Sequence, residues 1–97
     1  MNLIRCDWDE NKSKAKKKSV GIGFDEAMEI FKGRYVEDVK NDEPFQFRAI
    51  GFVNDRLFTL VYEVREDDEG EYYHLISLWK ATKAEIKEFN KYEKNKK

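Results

Sequence analysis

FQFRAIGFVNDRLFTLVYEVREDDEGEYYHLISLW occupies residues 45–79 and decides the fold. From Phe45 to Val53 the chain alternates, with Phe45, Phe47, Ala49 and Val53 falling on one side of an extended backbone, where side chains repeat every second residue. Asn54-Asp55 follows, a pair that tolerates the left-handed conformations of a tight turn. Leu57 to Arg65 is rich in β-branched and aromatic residues. The acidic stretch Glu66–Gly70 reads as a hairpin loop, and Glu71–Trp79 as the returning strand. Two hairpins in succession make an antiparallel meander.

Outward from this core the signals are helical. Thr82-Lys83-Ala84-Glu85 has the spacing of a capping box, and Ile86, Phe89 and Tyr92 continue as an apolar stripe. Lys94–Lys97 is expected to fray. On the N-terminal side, Tyr35–Val39 reads as a further strand, followed by a polar loop to Pro44. Phe24, Ala27, Met28 and Phe31 form an i, i+3, i+4, i+7 face, with Asp25 and Glu26 in the first turn, Lys32 in the last and Gly33 as the cap. A more polar helix precedes it, capped by Asp7 or Asp9 and running to about Lys18. Its best inward stripe is Trp8, Lys12, Ala15, Ser19 and Ile22, and Gly21 and Gly23 break the chain. Residues 3–6 read as a short edge strand. The order β-α-α-β-β-β-β-α implies an α+β fold, an antiparallel β-meander sheet with helices packed on it, in a single domain over residues 1–97.

Of the 97 residues, 40% are hydrophobic and 40% charged, which describes a thin core under a dense ionic surface. Seven Phe, five Tyr and two Trp argue against disorder. No apolar run approaches the ~20 residues of a membrane span. The N-terminus lacks the pattern of a secretory signal, and a lone cysteine, Cys6, reads as a reduced, buried strand residue of a cytoplasmic protein. The net charge of −1 hides segregation: residues 12–18 hold five lysines and no acid, whereas six acids crowd into residues 63–71. Such a distribution permits an anion-binding face, although solvated surface is the plain alternative.

One His and one Cys leave no zinc-type ligand set, so no metal and no cofactor are expected. Gly21-Ile22-Gly23 is too short for a phosphate loop. His74 shares its period-2 face with Tyr72, Ile76 and Leu78 and reads as a packed side chain. Trp79, with Tyr73, Leu75 and Ser77, is expected on the opposite face, so helices can leave only one of the two open. What remains is cationic: Lys12, Lys14, Lys16, Lys17 and Lys18, then Arg48, Lys80 and the tail. Trp8, Tyr72, Tyr73 and Trp79 interleave with these cations. Cations and exposed rings suit single-stranded RNA, though the rings equally fit a core.

Trp8-Asp9-Glu10, Lys12, Ala15, Gly21, Ile22, Phe24, Glu26-Ala27 and Phe31 follow, in order, the opening W-D-x-x-K-x-x-A-N-x-x-K-H-G-V-S-F-E-E-A-x-x-V-F. Phe47-Arg48-Ala49-Ile50-Gly51 is similar to R-F-x-x-I-G. Ile76-Ser77-Leu78-Trp79-Lys80-Ala81-Thr82 with Glu85 is similar to I-S-A-R-x-A-T-x-x-E. The set resembles the BrnT family of bacterial toxins. That resemblance implies a RelE-like toxin fold and metal-independent cleavage of RNA. It also implies neutralisation by a small, DNA-binding ribbon-helix-helix antitoxin, with oligomers built through that antitoxin. Cationic side chains and a proton-transfer group would surround the scissile phosphate. The family's Asn, Lys and His before the first glycine fall on Lys16, Ser19 and Val20, and its arginines fall on Gln46, His74 and Trp79. Two readings stay open. In one, the catalytic set is rebuilt around His74, Arg48 and Lys80, with Lys12, Lys14, Lys16, Lys17 and Lys18 binding RNA. In the other, the chain is a non-catalytic protein-binding module on the same fold.

Overall fold

The computed structural model describes residues 4–95. Strand β1 (Cys6–Asp7) leads into helix α1 (Glu10–Val20) and a single turn of α-helix, α2 (Phe24–Ala27), which tightens into a 3₁₀ helix (Met28–Lys32). Strands β2 (Tyr35–Asp42), β3 (Phe45–Val53), β4 (Arg56–Asp67) and β5 (Gly70–Lys80) follow, and helix α3 (Lys83–Asn95) closes the chain. The sheet order is β1-β5-β4-β3-β2. The last four strands form the expected antiparallel meander, and β1 adds to β5 in parallel, pairing Cys6 with Tyr73 and Asp7 with His74. Of the edge strand expected over residues 3–6, Leu3 lies outside the described residues; pairing begins at Cys6. Lys94 and Asn95 continue α3, and the rest of the expected frayed tail lies outside the described residues.

β3 has the bounds its pattern suggested, while β2, β4 and β5 run longer. At one hairpin Asn54 and Asp55 take φ of 50° and 70°, the two positive values a tight turn between twisted strands requires. At the next, pairing continues to Asp67 and Gly70, so only Asp68 and Glu69 form the turn rather than the whole acidic stretch. Asp67 accepts both terminal nitrogens of Arg5 at 2.7 and 2.9 Å, which ties the turn to the start of the chain.

Helices cover both faces of the sheet. On one, α1, α2 and the 3₁₀ helix pack Ile22, Phe24, Ala27 and Ile30 against Ala49, Leu60, Tyr62, Leu75 and Leu78. On the other, α3 lays Phe89 over Phe52, beside the buried Ile50 and Val61. The 3₁₀ helix approaches β3 closely: a Cβ on Gly51 would come within 2.9 Å of Ile30 Cγ2. Its three-residue repeat continues the spacing of Phe24, Ala27 and Ile30, all fully buried, while Met28 and Phe31, expected on the inward face, pack half-buried against the same core. Burial pushes the Cys6 thiol up to about 11, so it stays protonated at neutral pH.

Helix α1 departs from its expected stripe. Asp9, not Asp7, caps it, accepting from the Lys12 N–H at 3.1 Å. Lys12 and Ala15 face solvent, and the buried residue is Ser13. A periodicity search counts apolar side chains and passes over a serine. Here the hydroxyl is buried because it accepts the Phe24 N–H at 2.9 Å, satisfying a donor at the start of α2 that water cannot reach. Ser13→Ala would strand that donor. We expect it to cost about 1–3 kcal/mol in a denaturant titration, whereas Lys12→Ala stays within about 0.5 kcal/mol of wild type.

Candidate functional site

The period-2 reading of β5 fails at one residue, and the site depends on it. Val61 pairs with Ser77 but Tyr62 with Leu75, so Ile76 is a bulge. Past a bulge the alternation changes phase. Tyr73, Leu75 and Leu78 therefore all point to the α1 face, while Tyr72, His74, Ser77 and Trp79 share the α3 face. The expectation that His74 and Trp79 lie on opposite sides is corrected accordingly. Positions 46, 74 and 79, where the family resemblance places arginines, lie on one surface.

A polar row crosses that surface. Asn41 donates to Gln46 at 3.4 Å, and Gln46 donates to Glu63 Oε2 at 3.0 Å. Glu63 is the cross-strand neighbour of His74, and His74 Nδ1 lies 2.6 Å from Asp7 Oδ1. A carboxylate only accepts, so Nδ1 carries the hydrogen and Nε2 is the imidazole's free basic position. The His74 side chain is 27% exposed, open enough to meet a ligand. The Gln46 amide, then the Arg65 guanidinium, hold the Glu63 carboxyl below its ordinary value.

Beside the row, α3 is anchored by one buried carboxylate. Glu85 Oε1 accepts from the Thr59 hydroxyl at 2.7 Å, the Thr82 N–H at 2.9 Å and the Trp79 indole at 3.0 Å; Oε2 accepts from Arg48 at 3.3 Å. The Glu85 N–H returns a bond to Thr82 Oγ1, completing the capping box legible in the sequence. Arg48 also pairs with Asp38 and Glu88. Trp79 thus supplies a neutral N–H donor to Glu85 where a charge was expected.

The sequence-level candidates divide between the two faces. His74 and Arg48 share the α3 face, with Arg48 held by three acids. Lys80, paired with Phe58, belongs to the α1 face, in a groove with Val20, Gly21 and Ile22 at the end of α1. Lys12, Lys14, Lys16 and Lys18 make no ion pair among the described residues, while Lys17 meets Glu26 at 2.5 Å. Glu63 and Arg65 were not singled out from the sequence, and Asp7 only as a possible helix cap. Asp7 is recognisable once β1 is known to lie beside β5, and Glu63 and Arg65 once the register of β4 on β5 is known. Among the described residues, no three His, Cys, Asp or Glu side chains are grouped to hold a metal ion, and no helix is long and apolar enough to cross a membrane.

The anchors from Trp8 to Glu85, now placed on α1, β3, β5 and the cap of α3, define a ribonuclease toxin of the type II toxin-antitoxin class. A family model described as "Ribonuclease toxin, BrnT, of type II toxin-antitoxin system" matches residues 8–85, and the chain belongs to the BrnT family. The class implies an antitoxin partner. No curated protein matches the chain.

Burial alone would raise the Glu85 carboxyl above its ordinary 4.5, but the Thr82, Thr59, Trp79 and Arg48 donors outweigh it and hold it lower. A depressed carboxyl stabilises the fold above its unfolded value and loses that contribution as pH falls through the folded one. Glu85→Gln should therefore cost about 1–3 kcal/mol at pH 7 and flatten the acid limb of the stability profile below the ordinary glutamate range, read by thermal melts across pH.

Proposed function

We propose that this toxin is a slow, metal-independent endoribonuclease in which His74, oriented by Asp7, moves the proton. The observation that carries the reading is the 2.6 Å His74–Asp7 pair on the face where the family pattern concentrates its cations. Cleavage requires removal of the 2'-hydroxyl proton, stabilisation of charge on phosphorus and protonation of the leaving oxygen. His74 Nε2 can accept the first proton, with Asp7 fixing the tautomer and stabilising the imidazolium. The protonated ring can then return a proton to the leaving oxygen. Charge stabilisation is the weak step. Arg48 is held by Asp38, Glu85 and Glu88, Arg65 by Glu63, and Arg5 by Asp67. A phosphate would have to compete with each of those carboxylates. The lysines of α1, with Lys17 exchanging Glu26 for a phosphate, carry the sequence-independent grip on RNA, and Lys80 lies beside the end of that helix. A small basic ribbon-helix-helix antitoxin silences the toxin in a 1:1 stoichiometry built around an antitoxin dimer, in the cytoplasm.

Purified protein incubated with single-stranded RNA and a chelator should cleave slowly. His74→Ala should reduce the rate about 10²–10⁴-fold while its melting temperature stays near wild type. Absence of cleavage by the wild type, or cleavage unchanged in His74→Ala, would defeat the proposal; the first result would favour the binding module without catalysis.

The RNA grip has its own test. Replacing Lys14, Lys16 and Lys17 with Gln should leave the fold intact and reduce the slope of log affinity against log salt by about two to three, because each neutralised phosphate releases roughly one counterion. An unchanged slope would assign these lysines to solvated surface.

A further inference from the structure

The end of the sheet that no helix covers carries an apolar surface on the α1 face. Phe31 packs edge-on against Tyr35, Tyr62 and Tyr73, and there the cover of the 3₁₀ helix stops. Beyond it Phe47 stacks on Tyr62, and Phe45 leans on Phe47 with ring centroids 4.9 Å apart. Val39 is 46% exposed, Phe45 55% and Val64 40%. Strand register places all three on this one face: Val39 pairs with Phe47, Phe45 with Asp42, and Val64 with Tyr73.

The same register fixes the rim. Glu37, Asp42, Glu66 and Glu71 lie on this face beside the apolar residues and are exposed. None of the four makes an ion pair among the described residues, in contrast with the paired acids of the α3 face. Burial, then the neighbouring Asp38, raises the Glu37 carboxyl, the behaviour of an anion short of positive partners. Strand addition at β2 is not favoured, because its pairing is interrupted by a bulge at Lys40, the only cation of that strand.

We propose that this patch is where the antitoxin anchors, through a basic amphipathic segment. Its apolar side chains cover Val39, Phe45 and Val64, and its arginines or lysines meet the four unpaired acids. Charge complementarity selects this occupant. An RNA strand would bring phosphates against the acids, and a second copy of the same patch would bring acid against acid. The inference rests on the toxin-antitoxin assignment and adds the surface and the chemistry of the contact. The patch lies directly behind Gln46, Glu63 and His74, one sheet thickness from the candidate site. Anchoring therefore leaves the site itself free to be covered by a different part of the partner.

The test uses the full chain and its purified cognate antitoxin. Phe45→Ser combined with Val64→Thr alters exposed residues only and should raise Kd at least about tenfold. Glu37→Gln, Glu66→Gln and Glu71→Gln together should weaken binding mainly at low salt, so that the salt dependence of Kd shrinks. Asn11→Ala, an exposed position on α1, should leave Kd within about twofold of wild type, as expected for a residue outside the contact. If the wild type does not bind the antitoxin, the partner assignment falls and this inference with it. If the wild type binds and both patch variants bind equally well, the partner stands and the surface is wrong. Should the apolar variant fail to fold, the acid variant decides alone. Self-association or RNA binding lost in the patch variants, with antitoxin affinity unchanged, would likewise overturn the proposal.

Discussion

A single carboxylate holds this molecule's second layer in place. Glu85 is almost wholly removed from solvent, and a charge in that position is tolerable only when its lone pairs are filled. They are filled by β4, β5, Arg48 of β3 and the first turn of its own helix. The capping box, a local device, is thereby turned into a long-range clamp. Without it α3 would rest on the apolar contact between Phe89 and Phe52 and on two more exposed ion pairs, Arg48 with Glu88 and Arg34 with Glu93.

The clamp also explains the electrostatics of that face. Arg48 serves the fold first: its guanidinium neutralises Glu85 and reaches Asp38 and Glu88 on either side. A cation so engaged is a poor phosphate ligand, because any anion must displace a hydrogen-bonded carboxylate. The two faces therefore differ in charge balance: the arginine of the α3 face is matched by acids, while on the other side the lysines of α1 apart from Lys17 make no ion pair among the described residues.

The meander, the capping box and the tight turn at Asn54-Asp55 were legible because each is a local pattern. Three features were not. Ser13 is inward for its hydroxyl, and hydrophobic periodicity cannot register a polar residue whose partner, Phe24 N–H, is eleven residues away. The 3₁₀ helix replaced a continuous α-helix because its tighter repeat lets Ile30 sit against Gly51, a tertiary demand. The Asp7–His74 pair required a two-residue parallel strand to find β5 across most of the chain length. As for the candidate residues, His74 and Arg48 share a face, but their partners were chosen by strand neighbours that the sequence does not name.

Ile76 sets the phase in which the end of β5 is read. Upstream of it, even-numbered residues look toward α3; downstream, odd-numbered ones do. Because the extra residue has no partner of its own on β4, deleting it would close β5 into a regular ladder in which Ser77 follows Leu75 and every residue from Ser77 to Lys80 keeps its present face and partner. The bulge is a slot that absorbs one residue without exchanging the two surfaces. An unbulged strand of the same length would instead part His74 from Trp79, whose numbers have opposite parity. In relatives whose β5 differs in length by one residue, the equivalents of these two positions are found by their β4 partners, Glu63 and Thr59, and not by counting along the strand.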